Sequence, residues 1–77
     1  MVTTTLDQLR PGQGGRLVSL GGERLFRRRL MELGLLPGSR VSVVRAAPLG
    51  GVLELEVRGS LLSVRMSDAA ILSVEVS

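Results

Sequence analysis

The sequence predicts a mainly β fold: a small, partly open barrel of about five antiparallel strands with one α-helix and one or two short helical turns. The chain has 77 residues, which suffices for one domain with a thin core. One segment has the apolar spacing of an amphipathic helix, whereas several others place apolar residues at every second position. Glycine and proline separate these segments at short intervals. We therefore treat residues 1–77 as a single domain.

The predicted helix covers residues 23–33. Phe26, Leu30 and Leu33 recur at i, i+4 and i+7, so they share one helix face, which we expect to pack on the core. Gly34 follows at the position where a left-handed residue commonly ends a helix. The helix should therefore stop abruptly and lead into a strand.

The remaining segments predict strands joined by tight turns. Strands are expected around residues 17–20, 41–43, 53–57, 62–66 and 72–76, and short helical turns at 5–9 and 67–70. In the segment 53–57, apolar residues alternate with Glu54 and Glu56, which indicates one buried and one hydrated face. Arg58-Gly59 is typical of a two-residue hairpin turn into the next strand.

Residue types that carry most enzyme chemistry are absent from the chain. It contains no His, Cys, Lys, Trp, Tyr or Asn. A nucleophilic Ser or Thr needs a neighbouring base, usually His or Lys. Acid–base catalysis by carboxylates alone needs a dry pocket, which a thin core rarely builds. We therefore expect that the protein is not an enzyme.

The same composition disfavours a tight metal site within one copy. Zn²⁺ and Fe²⁺ sites draw mainly on imidazole or thiolate ligands, and this chain offers only carboxylates, carbonyls and methionine sulfur. We expect no cofactor and assign no metal-ligating residue. A weak association of Fe²⁺ or another divalent metal with carboxylates from two copies stays open.

Four arginines crowd the predicted helix: Arg24, Arg27, Arg28 and Arg29. The first three fall opposite the apolar stripe, and they could be a hydrated face, a nucleic-acid site, or a surface for an acidic protein or anionic membrane. Proteins that bind single strands stack bases on aromatic side chains, and this chain has one aromatic residue and a net charge of only +3. Nucleic acid is therefore the weakest of these alternatives.

An apolar docking patch is predicted beside these arginines. Met31 should lie away from the core stripe, and Leu35 and Leu36 follow in the corner between helix and strand. We predict that these three side chains bind a partner, with Arg27 and Arg28 at the rim. The alternative for Leu35 is that it folds inward and closes the barrel end. The same patch would serve a second copy, so the oligomeric state is open.

A cytoplasmic location is expected. The first residues lack a basic start followed by an apolar segment, and no apolar run is long enough to span a bilayer. The absence of cysteine fits a reducing compartment. We therefore expect no direct insertion into a membrane.

The order of these motifs resembles the FeoA family, ferrous iron transport protein A. Members typically carry a basic residue before Leu-x-x-Leu-Gly-hydrophobic-x-Pro-Gly, then a valine-rich strand and a loop that reads Ala-Pro, an aromatic residue or Leu, and Gly. The matching residues are Leu6, Leu9, Pro11, Gly12, Arg29, Leu30, Leu33, Gly34, Leu35, Pro37, Gly38, Val41, Val43, Ala47, Pro48, Leu49, Gly50, Val57, Arg58, Gly59, Arg65, Asp68, Ala69 and Ile71.

The resemblance implies an SH3-like barrel that works in bacterial ferrous iron uptake. Its expected partner is the cytoplasmic region of the membrane GTPase transporter FeoB. The motif also occurs in the C-terminal domain of iron-dependent repressors, but this chain shows no DNA-binding helices. Where the family often continues its loop with Asp-Pro, this chain has Gly51-Val52, so no metal contact by a loop carboxylate is carried over.

Overall fold

The computed structural model describes residues 2–76 of the chain. Six strands, two α-helices and two 3₁₀ turns make up the fold. In chain order they are β1 (Val2–Thr5), a 3₁₀ turn (Leu6–Gln8), β2 (Gly14–Leu20), α1 (Arg24–Glu32), β3 (Arg40–Ala47), a second 3₁₀ turn (Pro48–Gly50), β4 (Val52–Val57), β5 (Ser60–Arg65), α2 (Met66–Ala69) and β6 (Leu72–Val76).

All six strands join one antiparallel sheet in the order β1-β6-β2-β3-β4-β5. Within residues 2–76 the edge strands β1 and β5 are not paired with each other, so the barrel is partly open. The predicted fold class is confirmed, with one strand more than expected. The extra strand is β1, whose threonine-rich sequence lacks an apolar alternation and which forms by pairing with β6.

The core lies on the concave side of the sheet. In β4, Leu53, Leu55 and Val57 are buried, and they alternate with Glu54 and Glu56 as predicted. The other buried apolar residues are Leu6, Leu9, Leu17, Leu30, Leu35, Val41, Val43, Val64, Ala69, Leu72 and Val74. Each fully buried Leu or Val contributes about 1.5–3 kcal/mol relative to an exposed one.

The end of α1 decides which leucines enter this core. Gly34 has φ of +105°, which confirms the predicted left-handed residue. The N–H of Gly34 donates to the carbonyl of Met31, and that of Leu35 donates to the carbonyl of Leu30, each at 3.0 Å. These two bonds form a Schellman motif, in which the chain reverses and its next residue packs back towards the helix.

The reversal buries Leu35 completely, and Leu33 stays 54% exposed. The expectation that Leu33 completes the core stripe is therefore wrong. Leu33 keeps the helical conformation and its N–H still donates to the carbonyl of Arg29 at 3.2 Å, so it stays on the stripe, but its side chain lies beyond the buried core. Phe26 is half-buried against the core and Leu30 is buried, as predicted.

Two turns predicted from glycine and polar residues also form. Arg58 and Gly59 both have positive φ, at +54° and +80°, and close the hairpin between β4 and β5. The second helical turn is a short α-helix that already begins at Met66, so Met66 is not part of the preceding strand.

Candidate functional site

One face of α1 borders a positively charged groove. Arg24, Arg27, Arg28 and Met31 follow at i, i+3, i+4 and i+7, so their side chains form a single stripe along the helix. The opposite wall is the outer end of β2 together with the turn after α1. We call this cavity of about 560 Å³ the basic groove; it is lined by Val18, Ser19, Leu20, Arg24, Arg27, Arg28, Met31 and Pro37.

Backbone hydrogen bonds hold the two walls of the basic groove in place. Gly38 donates to the carbonyl of Leu17 at 2.7 Å, and Leu17 donates to the carbonyl of Ser39 at 2.8 Å. These bonds attach the turn after α1 directly to β2. Before the helix, Gly21 donates to the carbonyl of Ile71 at 2.7 Å. Both ends of α1 are therefore connected to the sheet beside the groove.

A bulge in β2 supplies part of the apolar lining. The pairing of β2 with β6 shifts register between Leu17 and Ser19, so Val18 is the extra residue. Bulges bend a strand and redirect its side chains. As a result Val18 and Ser19 are both exposed, although consecutive residues of a regular strand point to opposite faces. The exposed fractions are 47% for Val18 and 38% for Met31, so the groove presents apolar surface to solvent.

The arginines of the basic groove are not held in close ion pairs within the part of the chain that the structure describes. Among the described residues, the one ion pair within 4.0 Å joins Arg45 to Glu54 at 3.9 Å, outside this groove. No carboxylate of residues 2–76 lines the groove, whereas three arginines do. A concave site lined by charges of one sign concentrates counter-ions and steers oppositely charged ligands.

The structure brings together three of the five predicted site residues. Arg27, Arg28 and Met31 all line the basic groove. Leu36 is half-buried and does not line it. Leu35 is fully buried, so its assignment to an apolar docking patch is wrong. The Schellman motif turns this side chain under the helix and into the core.

The remaining lining residues were not predicted as part of the site. Arg24 could have been included, because it precedes Arg27 by one helical turn on the same stripe. The contribution of Val18 depends on the bulge in β2, and no local sequence signal indicates that bulge. Pro37 is named above only as a residue of the family motif, yet it also lines the groove.

A second groove lies on the other side of α1. Phe26, Arg29, Leu30 and Leu33 repeat the i, i+3, i+4, i+7 spacing and face β5 and α2 across a cavity of about 370 Å³. Asp68 lines this cavity together with Arg29 and Arg65, so both signs of charge are present. Leu33, which is 54% exposed, lines this second groove.

The described residues show neither a metal cluster nor a membrane helix. Within residues 2–76, no three carboxylates come together in a way that could hold a metal ion. In the same part of the chain, no helix has the length and apolar character needed to cross a bilayer.

Comparison with known proteins decides the family. The model of the FeoA domain matches residues 4–76. The chain belongs to the FeoA family. The resemblance seen in the sequence motifs is thereby confirmed, and the SH3-like fold with it.

Relatives and solved structures extend this result. A fusion of Fe(2+) transport protein A with the Fe(2+) transporter FeoB, from Porphyromonas gingivalis, is 32% identical over 71 residues. That match covers 92% of this chain but only 8% of the fusion protein. The FeoA protein from Chlorobium tepidum is 37% identical with a TM-score of 0.88, over 95% of this chain and 70% of that one. FeoA from Stenotrophomonas maltophilia, solved in complex with zinc and described as an SH3 domain protein, is 29% identical with a TM-score of 0.78, over 94% and 89% of the two chains.

Proposed function

We propose that this protein is a non-enzymatic accessory of bacterial ferrous iron uptake that docks on the cytoplasmic region of the membrane GTPase transporter FeoB. The fusion protein of Porphyromonas gingivalis carries this proposal, because it places a FeoA-like segment and FeoB on one chain. Covalent linkage raises the effective concentration of one module near the other, often to millimolar values for short linkers. A fusion of the two modules on one chain therefore favours their association, which is expected where they act together.

The basic groove is the proposed docking surface. Met31 offers a flexible, partly exposed apolar side chain, and Arg27 and Arg28 flank it on the same stripe. Apolar anchors supply much of the affinity of interfaces, while charges at the rim steer association and fix orientation. Leu36 stays a predicted contact at the margin of this surface, since it directly precedes Pro37.

A non-enzymatic role agrees with the chemistry of the groove. Its lining offers guanidinium groups, one serine hydroxyl and apolar side chains. The chain has no His, Lys or Cys that could activate Ser19 as a nucleophile. Binding is the activity that these groups support best.

The docking surface is tested by two matched apolar-to-acidic substitutions on α1. Met31→Asp places a carboxylate in the basic groove, whereas Leu25→Asp places one at a residue that is 76% exposed and lines neither groove. We expect Met31→Asp to weaken binding to the full-length transporter in detergent by at least roughly tenfold, about 1.4 kcal/mol. Leu25→Asp should bind like the unmodified protein.

Binding is measured by biolayer interferometry, and circular dichroism establishes that both variants are folded. A folded Met31→Asp variant with unchanged affinity would place the docking surface elsewhere. Equal losses in both variants would point to the overall charge of the helix rather than to the groove. No binding by the unmodified protein would refute docking on FeoB itself.

A second candidate is metal-dependent association between copies. It is favoured by the zinc complex of the Stenotrophomonas maltophilia relative. In this chain the ligands would be carboxylates from two copies, because the sequence offers no imidazole or thiolate. Sedimentation velocity with and without anaerobic Fe²⁺ tests it: a metal-dependent increase in mass supports the candidate, and an unchanged mass refutes it.

A further inference from the structure

We infer that the basic groove recognises an acidic peptide segment that carries an aliphatic side chain as its anchor. The inference deepens the proposed function, and it rests on that function only in placing the segment within FeoB. Three properties of the groove lead to it: its charge, its apolar lining and its shape.

The charge of the groove calls for an anionic ligand. Arg24, Arg27 and Arg28 are exposed, and no carboxylate of residues 2–76 lines the cavity beside them. Guanidinium groups bind carboxylates through paired, charge-assisted hydrogen bonds. An acidic ligand would therefore meet guanidinium groups that form no ion pair within 4.0 Å among residues 2–76.

The spacing of these arginines suits a peptide. Arg27 and Arg28 follow Arg24 by three and four residues, which corresponds to rises of about 4.5 and 6 Å along the helix. Carboxylates on alternate residues of an extended segment lie about 6.6 Å apart along its axis. A segment with two or more acidic residues could thus contact successive arginines.

The apolar residues that line the groove favour a ligand that also carries an apolar group. Val18 and Met31 are partly exposed there, and Leu20 and Pro37 complete the apolar lining. A purely ionic ligand would leave these apolar side chains exposed to water and gain nothing from burying them. An aliphatic side chain would cover them, and the flexible thioether of Met31 can adapt to its shape.

The concave shape and composition favour a peptide over a membrane or a nucleic acid. The apolar residues line a cleft of about 560 Å³ between α1 and β2, a shape that suits a chain segment better than a flat bilayer surface. The groove has no aromatic side chain on which a base could stack. A short peptide segment satisfies the charge, the apolar lining and the shape together.

A peptide array tests the inference. It carries overlapping peptides of the FeoB cytoplasmic region and unrelated peptides in three matched sets: acidic with a leucine, the same with Gln for Glu, and the same with Ser for Leu. We expect the acidic leucine peptides to bind at least roughly tenfold more protein than either matched set. Soluble peptides of each set then give affinities in solution.

Charge variants of the protein serve as controls. Arg27→Glu/Arg28→Glu should abolish binding of the acidic peptides, and the milder Arg27→Gln/Arg28→Gln should weaken it. Arg10→Glu/Arg65→Glu changes the net charge as much as the first variant, but at exposed residues outside the basic groove, so it should retain binding.

Four results would overturn the inference, and a fifth would separate it from docking on FeoB. Equal binding of the Glu and Gln peptides, or an equal loss with Arg10→Glu/Arg65→Glu, would overturn the inference. So would complete competition by inorganic phosphate, or tighter binding to vesicles rich in anionic lipid that depends on Arg27 and Arg28. If unrelated acidic leucine peptides bind but no FeoB peptide does, the groove chemistry stands and the placement of the segment within FeoB is refuted, whereas docking itself is decided by the full-length transporter.

Discussion

Replacing Leu35 with alanine tests the packing that the end of α1 produces. The side chain is fully buried, and its backbone N–H is bonded to the carbonyl of Leu30 in the Schellman motif. Two neighbouring leucines provide an internal comparison. Leu36 is half-buried and Leu33 is 54% exposed, so three leucines within four positions differ mainly in burial.

The structure sets the size and the order of the expected effects. Leu35→Ala removes three buried carbon atoms, worth about 2.4 kcal/mol at ~0.8 kcal/mol each, and the cavity left behind brings the loss to about 3–5 kcal/mol. Leu36→Ala should cost less. Leu33→Ala should cost under about 1 kcal/mol, because most of its side chain is already hydrated.

Urea and thermal unfolding followed by far-ultraviolet circular dichroism measure these losses. For a domain of this size, 3 kcal/mol lowers Tm by about 12–24 °C. Sequence periodicity alone predicts that Leu33 lies in the core, and it leaves Leu35 open between the surface and the barrel end. A loss for Leu35→Ala no larger than that for Leu33→Ala would therefore refute the role assigned to the Schellman motif.

Two further predictions concern the backbone. A Cβ atom on Gly15 would lie 2.5 Å from the carbonyl oxygen of Glu75, so Gly15→Ala should lower the free energy of unfolding by at least about 1–3 kcal/mol. The control Gly50→Ala meets only the Cβ of Ala47 at 3.8 Å and should be neutral or stabilising. Chemical denaturation of both variants measures the difference, and similar stabilities would contradict the prediction. Arg58 has φ of +54°, where asparagine is favoured, so Arg58→Asn should raise the free energy of unfolding by about 0.5–1 kcal/mol. A lower urea midpoint for Arg58→Asn would show that the arginine side chain contributes more than its backbone conformation costs.

The two stripes of α1 give the helix two different surfaces. One carries Arg24, Arg27, Arg28 and Met31 and borders the all-positive basic groove. The other borders a groove that also contains Asp68. The buried Leu30 and the half-buried Phe26 pack on the core and also line the second groove, whereas the arginine stripe lies on the side of α1 that borders the basic groove.

Much of the fold was predictable from local patterns. Alternation identified β4 and its buried face, the Arg58-Gly59 pair identified its hairpin, and Gly34 marked the end of α1. Each of these features depends on neighbours in the chain: side chains alternate along a strand, and positive φ favours particular residues. The strand β1 was missed because its pairing partner β6 lies at the other end of the chain.

The candidate site also has one part that the sequence predicts and one part that it does not. By itself, the sequence determined that Arg24, Arg27, Arg28 and Met31 share one side of a helix, because a period of 3.6 residues requires it. Only the tertiary structure decided what faces that stripe. The bulge at Val18 and the attachment of the Pro37 turn to β2 form the opposite wall, and the chain reversal at Gly34 sends Leu35 into the core instead of the surface. These outcomes depend on contacts between segments distant in sequence, and helical or strand periodicity does not contain that information.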